Sequence, residues 1–199
     1  MIEFEKNPKR VLPYNREYYM NFFDDEFDSH VEWYGVSYQL DSEEYSLAKF
    51  IETYKYLFET IVSNLDNGSF WIVNHDDKDL KWFPNAENNL ASLRALFKQR
   101  NVPNSFKGAL VFTKDTLFEF YKDLISYPYA VYNKENLLYK NLDISHGKIP
   151  FIIKVSGHLC IDLLSTDKLL LRKIVAENSS NIFKIKEYRG TSLWTSVPR

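Results

Sequence analysis

Residues 149–165, IPFIIKVSGHLCIDLLS, decide the fold. Two apolar runs rich in β-branched residues flank Ser156-Gly157, so the stretch reads as a hairpin of antiparallel strands turning at that dipeptide. Working outward, Thr166 and Asp167 open a helix that runs to Asn178, and IFKIKEY (182–188) alternates as a final strand. Upstream, FKGALVFT (106–113) reads as a buried strand. Thr113 caps a short helix over 114–126, which ends ahead of Pro128 because the residue before a proline disfavours the helical region. YAVYN (129–133) reads as a strand and Ser145-His146-Gly147 as a turn.

In the N-terminal half, VEWYGVSYQL (31–40) reads as a strand bulged at Gly35. Asp41 and Glu44 resemble a capping box for a helix over 43–66, whose apolar positions Leu47, Phe50, Ile51, Tyr54, Phe58, Ile61, Val62 and Leu65 fall at helical spacing. SFWIVNHDDKDLKWFPN (69–85) reads as a second hairpin with its loop at 75–78. That register pairs Trp71 with Trp82 and Phe70 with Phe83. Asn85 then caps a helix through Gln99, with Leu90, Leu93, Leu96 and Phe97 on one face. Residues 1–28 lack periodicity and carry Pro8 and Pro13 as breakers. Hairpin-linked neighbours favour α+β over a doubly wound parallel fold: a single domain over 1–199 with a mainly antiparallel sheet and about four helices.

Composition narrows the class. Apolar residues make up 45% of the 199, enough for one sizeable core, and aromatics make up 17%. The one cysteine, Cys160, excludes an intramolecular disulfide and fits a reducing compartment. The N-terminus has no apolar signal region and no run is long enough for a membrane-spanning helix, so a cytoplasmic protein is expected. The net charge of −2 hides an asymmetry: residues 1–100 hold 18 acids against 11 bases. Between Arg16 and Lys49 there are nine carboxylates and no Lys or Arg.

Candidate chemistry is sparse. His75, Asp76, Asp77 and Asp79 offer metal-type ligands, but a calcium loop needs Gly at its sixth position and Glu at its twelfth. Counted from Asp77 those are Trp82 and Asn88, and a hairpin loop accounts for the same residues. Asp28, His30 and Glu32 alternate on one strand face, a thin ligand set. His158, Cys160 and Asp162 also share one strand face, and a thiol beside an imidazole and a carboxylate is the material of a thiol-dependent hydrolase. Same-face neighbours on a strand lie roughly 6–7 Å apart, however, too far for direct proton transfer. Dinucleotide, phosphate-loop, zinc-protease and serine-hydrolase motifs are missing from the sequence. No cofactor and no resident metal are expected.

The acidic run is also aromatic, with Tyr19, Phe22, Phe23, Phe27, Trp33, Tyr34 and Tyr38 among its carboxylates. Such a surface repels nucleic acid and attracts a cationic protein, since Tyr and Trp serve as anchors while carboxylates steer encounter and accept Arg. The expected contact residues are Asp24, Asp25, Glu26, Asp28, Glu32, Trp33 and Tyr34, with Asp76 and Asp77 as a second contact. In this combination the chain resembles bacterial immunity proteins, including those of contact-dependent growth inhibition systems. Ile149 to Ile153, followed by Gly157 and Cys160-Ile161-Asp162, is similar to the central hairpin of the SUKH superfamily over about 20 residues. The resemblance implies a cytoplasmic, non-catalytic inhibitor that binds a cognate toxin such as a nuclease, with neither nucleic acid nor membrane as a partner.

Overall fold

The structure, a computed structural model, describes residues 2–16, 33–40, 46–65, 68–75, 80–84, 90–131, 141–188 and 193–194. Its frame is one sheet of eight strands: β1 (Ile2–Glu5), β2 (Tyr34–Leu40), β3 (Trp71–His75), β4 (Ala109–Phe112), β5 (Leu142–His146), β6 (Phe151–Ser156), β7 (Cys160–Ser165) and β8 (Phe183–Glu187). Their spatial order is β1-β4-β3-β5-β6-β7-β2-β8, and every pairing is antiparallel. Five α-helices are described: α1 (Leu47–Asn64), α2 (Ala91–Gln99), α3 (Lys114–Glu119), α4 (Tyr121–Ala130) and α5 (Lys168–Glu177). The α+β class with an antiparallel sheet is therefore the observed one.

The deciding hairpin forms, but its turn is not at Ser156-Gly157: Ser156 stays in the ladder and three residues make the turn. β6 and β7 pair from Phe151↔Ser165 to Ser156↔Cys160, around a turn of Gly157, His158 and Leu159. Leu159, not Gly157, takes the left-handed conformation (φ 54°). Alternation then sorts the sheet into two faces. Phe151, Ile153, Val155, Ile161 and Leu163 join the main core under the helices, while Ile152, Lys154, Cys160, Asp162 and Leu164 lie on the opposite face.

The helix-side core absorbs the aromatic excess. α1 lays Phe50, Tyr54, Leu57, Phe58, Ile61 and Val62 onto the sheet, an apolar stripe at helical spacing. Full burial of each such side chain stabilises by about 1.5–3 kcal/mol. Phe97 is a hub, edge-on to Phe4 at 5.2 Å, Phe83 at 4.9 Å and Phe106 at 6.2 Å. α1 begins at Leu47, capped by the Ser46 hydroxyl accepting from the Lys49 N–H at 3.3 Å, later than a start at 43. The expected capping box at 41–44 lies outside the described residues.

Five local expectations are overturned. The stretch 69–85 is not a hairpin: β3 pairs with β4 and β5, so Trp71 faces Phe112 and His146 rather than Trp82. Residues 80–84 instead tie to the loop before β4, where Trp82 N–H donates to the Phe106 carbonyl at 2.9 Å and the indole Nε1–H to the Gly108 carbonyl at 2.9 Å. The helix after Thr113 does not stop ahead of Pro128. It breaks at Phe120 and resumes as α4 through Ala130 with Pro128 inside its last turn, which forfeits the one intrahelical bond that the missing N–H would have donated to Leu124; Tyr129 and Ala130 are therefore helical, not the start of a strand over 129–133. β2 runs in regular register through Gly35 without a bulge; the glycine is needed because a Cβ there would sit 2.4 Å from the Tyr188 ring. His146 is not in a turn but ends β5, a central strand. Its Nδ1 accepts from the Lys148 and Ile149 N–H groups at 3.1 and 3.2 Å and its Nε2–H donates to the Leu65 carbonyl at 3.2 Å.

α2 starts from Leu90 without a cap of its own. Asp123 of α4 supplies one across the core, its buried carboxylate accepting from the Leu93 N–H at 2.8 Å. Asp123→Ala should lower unfolding free energy by about 1–3 kcal/mol in urea titrations, by orphaning buried donors. A change below the error of the fit would show that the first turn of α2 finds another acceptor.

Candidate functional site

The sheet face opposite the helices carries one row of polar side chains. Register aligns Asn74 with Asp143, Asp143 with Lys154, Lys154 with Asp162, Asp162 with Ser37 and Ser37 with Lys186. The row crosses six adjacent strands with the charges of Asp143, Lys154 and Asp162 alternating in sign. Its inner members are buried, with Asp143 at 1%, Lys154 at 4% and Asp162 at 5% exposure, and only Lys186 at the sheet edge is open to solvent. Lys154 Nζ bonds Asp143 Oδ1 at 3.1 Å. Such a pair is tolerable in a low-dielectric setting only with further partners.

Segments from both ends of the chain cover this face. After a 3₁₀ turn at Pro8–Arg10, residues 11–16 cross this face as a strap. Val11, Leu12 and Tyr14 pack on Ile72, Ala109 and Val111. The Tyr14 hydroxyl meets Ser145 Oγ at 2.8 Å, and the Arg16 guanidinium donates to the His75 carbonyl, which also accepts from Asn74 Nδ2 at 2.7 Å. Trp33 covers Ile152 and Leu164 and stacks edge-on with Tyr14 at 5.2 Å. Tyr188 lies over Gly35 and directs its hydroxyl to Asp162.

Two phenols and the thiol beside the row hold their protons more tightly than usual. Burial first, and Asp143 second, push the Tyr14 phenol far up. Burial and then Asp162 do the same to Tyr188. Burial, reinforced by Asp162, raises the Cys160 thiol to about 11. A nucleophilic thiol needs the opposite shift. The proposed histidine partner is also elsewhere: His158 is exposed in the β6–β7 turn while Cys160 is buried on the sheet. The row as built pairs charges and orders hydrogen bonds; it does not present a ready nucleophile.

Of the expected contact residues, Asp24, Asp25, Glu26, Asp28, Glu32, Asp76 and Asp77 lie outside the described residues. Trp33 and Tyr34 are described, and both are buried, at 2% and 9% exposure. Their rings are spent inside the protein, Tyr34 in the main core and Trp33 on the opposite face, so neither offers an anchoring surface. His75 also turns inward, its Nε2 2.8 Å from the Tyr127 hydroxyl. Among the described residues no group of three or more His, Cys, Asp and Glu could hold a metal ion, and no helix is long and apolar enough to cross a membrane.

The chain matches no protein-family model, no curated protein and no solved structure.

Sequence reasoning missed Asn74, Asp143 and Lys154. The observed register sets Lys154 of IIKVS directly beside Asp162 of CIDLL, whereas a turn at Ser156-Gly157 would have paired Lys154 with Leu159 and hidden the contact. At pH 8, iodoacetamide should alkylate Cys160 at least about a hundredfold more slowly in the folded protein than in the urea-unfolded chain. Equal rates by mass spectrometry would contradict the buried, proton-holding environment described for this thiol.

Proposed function

We propose that the protein is a non-catalytic binding protein that neutralises a cationic protein partner, in the manner of an immunity protein acting on a toxin such as a nuclease. The observation that carries this reading is the mooring of its most acidic stretch. Residues 17–32 hold six carboxylates and no Lys or Arg. They leave the described structure at Arg16 and re-enter it at Trp33, both buried against the same sheet face. A segment tied at both ends to a rigid sheet loses less conformational freedom on binding than a free tail of the same composition. Two cations of that face, Arg16 and Lys154, already have partners in the His75 carbonyl and the Asp143 carboxylate.

On this reading Asp24, Asp25, Glu26, Asp28 and Glu32 steer a positively charged surface and accept its Arg and Lys groups, while the buried Trp33 acts as a mooring point. Asp76 and Asp77 follow directly on His75, the residue whose carbonyl holds Arg16, which makes them a natural second contact. Association then depends on ionic strength, chiefly through the on-rate.

The test sets the wild-type protein beside the D25K/E26K/D28K variant, both immobilised and exposed to lysate and secreted proteins of the source cells. The wild type should retain a basic protein that salt elutes and whose toxicity it abolishes when the two are produced together. The variant should bind that protein at least about tenfold more weakly with an unchanged melting temperature. Equal binding by the variant, or retention only of acidic proteins, would overturn the reading.

A further inference from the structure

β8 is an edge strand. Among the described residues it pairs with β2 alone. The Tyr188 N–H donates to the Gly35 carbonyl at 2.9 Å, which fixes the phase of the ladder. Lys184 and Lys186 then direct their main-chain groups toward Gln39 and Ser37, and those of Phe183, Ile185 and Glu187 point away from the sheet. The Phe183 N–H turns back to the Ser180 carbonyl at 3.3 Å. Among the described residues, Ile185 and Glu187 thus present an open run of main-chain donors and acceptors. Their side-chain faces differ: Phe183 and Ile185 are half-buried on the helix side, and Lys184 and Lys186 are exposed on the other.

A groove of about 510 Å³ opens beside the start of this strand, between α1 and the turn that links α5 to β8. Tyr56, Leu57, Ile182 and Phe183 give it apolar walls, with Lys49 and Glu52 at the rim. Tyr56 is 76% exposed and Ile182 50%, large apolar surfaces left to solvent at its mouth. An unpaired strand edge alongside an apolar groove is how extended peptides are bound: main-chain pairing supplies affinity, and the groove takes alternate side chains.

Charge selects the occupant. Two copies of the chain paired edge to edge about Ile185 would set the two lysines of one β8 against those of the other, and like charges directly opposite are destabilising. An added strand carrying carboxylates there places them in the closer, non-hydrogen-bonded pairs with Lys184 and Lys186. We propose that the β8 edge and its groove bind an extended peptide segment of another protein in which acidic residues alternate with aliphatic or aromatic ones. This site selects the opposite charge from the acidic stretch at 17–32 and is independent of the function proposed for that stretch.

The test uses two fluorescein-labelled peptides, Glu-Val-Glu-Phe-Glu-Val-Glu and its counterpart with every Glu replaced by Lys. The full chain should bind the acidic peptide saturably and at least about tenfold more tightly than the basic one, and a K184E/K186E variant, altered only at exposed side chains, should invert that preference. A Y56S/I182S variant should weaken the acidic peptide about tenfold without changing the charge preference, because it removes groove contacts only. Hydrogen exchange at the Ile185 and Glu187 amides should slow when the acidic peptide is added. Absence of saturable binding, equal binding of both peptides, an unaltered preference in K184E/K186E, full affinity in Y56S/I182S, or binding without amide protection would each overturn the proposal.

Discussion

A lysine and two aspartates side by side in the interior of a sheet set the terms for this protein. Asp143, Lys154 and Asp162 sit on three adjacent strands, almost without solvent contact. An exposed ion pair contributes little, but breaking a buried one by removing one partner costs about 3–5 kcal/mol, because the remaining charge stays desolvated. Once strand pairing has placed these groups on the face away from the helices, that face must be covered, and covered by groups that can hydrogen-bond. The strap at 11–16, Trp33 and Tyr188 provide the cover: Tyr188 directs its hydroxyl to Asp162, Tyr14 bonds Ser145 on the strand that carries Asp143, and indole and aliphatic surface lies between. The sheet therefore lies between two unlike layers: a helix-side core packed with aromatics, and a thinner cover over a charged row.

That second layer links the fold to the proposed function. Much of the cover is made from the segments on either side of the acidic stretch, so the packing that shields the buried row also holds the stretch's two ends. The same logic explains why Trp33 is buried. An aromatic residue at the boundary between the acidic stretch and β2 serves the protein better as packing on Ile152 and Leu164 than as an exposed anchor. The free edge of β8 lies at the far end of the same row, where Lys186 carries the polar line out to solvent.

The sequence disclosed elements whose local signals agreed with their tertiary setting. The β6–β7 strands, α1 and β8 stand close to where periodicity places them, and α5 stands where its Asp167 cap does. It misled where long-range pairing overrode local pattern. The matched tryptophans at 71 and 82 imitate a hairpin, yet β3 is a central strand whose partners lie about 40 and 70 residues downstream in the chain. β5 was hidden for a related reason. Ser145 and His146 read as turn residues, because a sequence shows polarity but not the buried partners that make polarity acceptable inside a sheet. The asymmetry of charge was legible, whereas the roles of Trp33 and Tyr34 were not, since an aromatic residue beside carboxylates has the same composition whether it faces outward or in.

The central claim is that the row is sealed by its cover, and lysine labelling tests it most directly. Lys154 and Lys186 belong to the same row, one at 4% exposure and the other at the open edge. Under native conditions an acetylating reagent read by mass spectrometry should modify Lys186 readily. It should modify Lys154 at least about a hundredfold more slowly, at a rate set by opening of the structure, and Tyr14→Ala should accelerate Lys154 selectively. Comparable labelling of both lysines in the wild-type protein would mean that the face is open to water, and the account of a buried row holding the strap and the ends of the acidic stretch would fail.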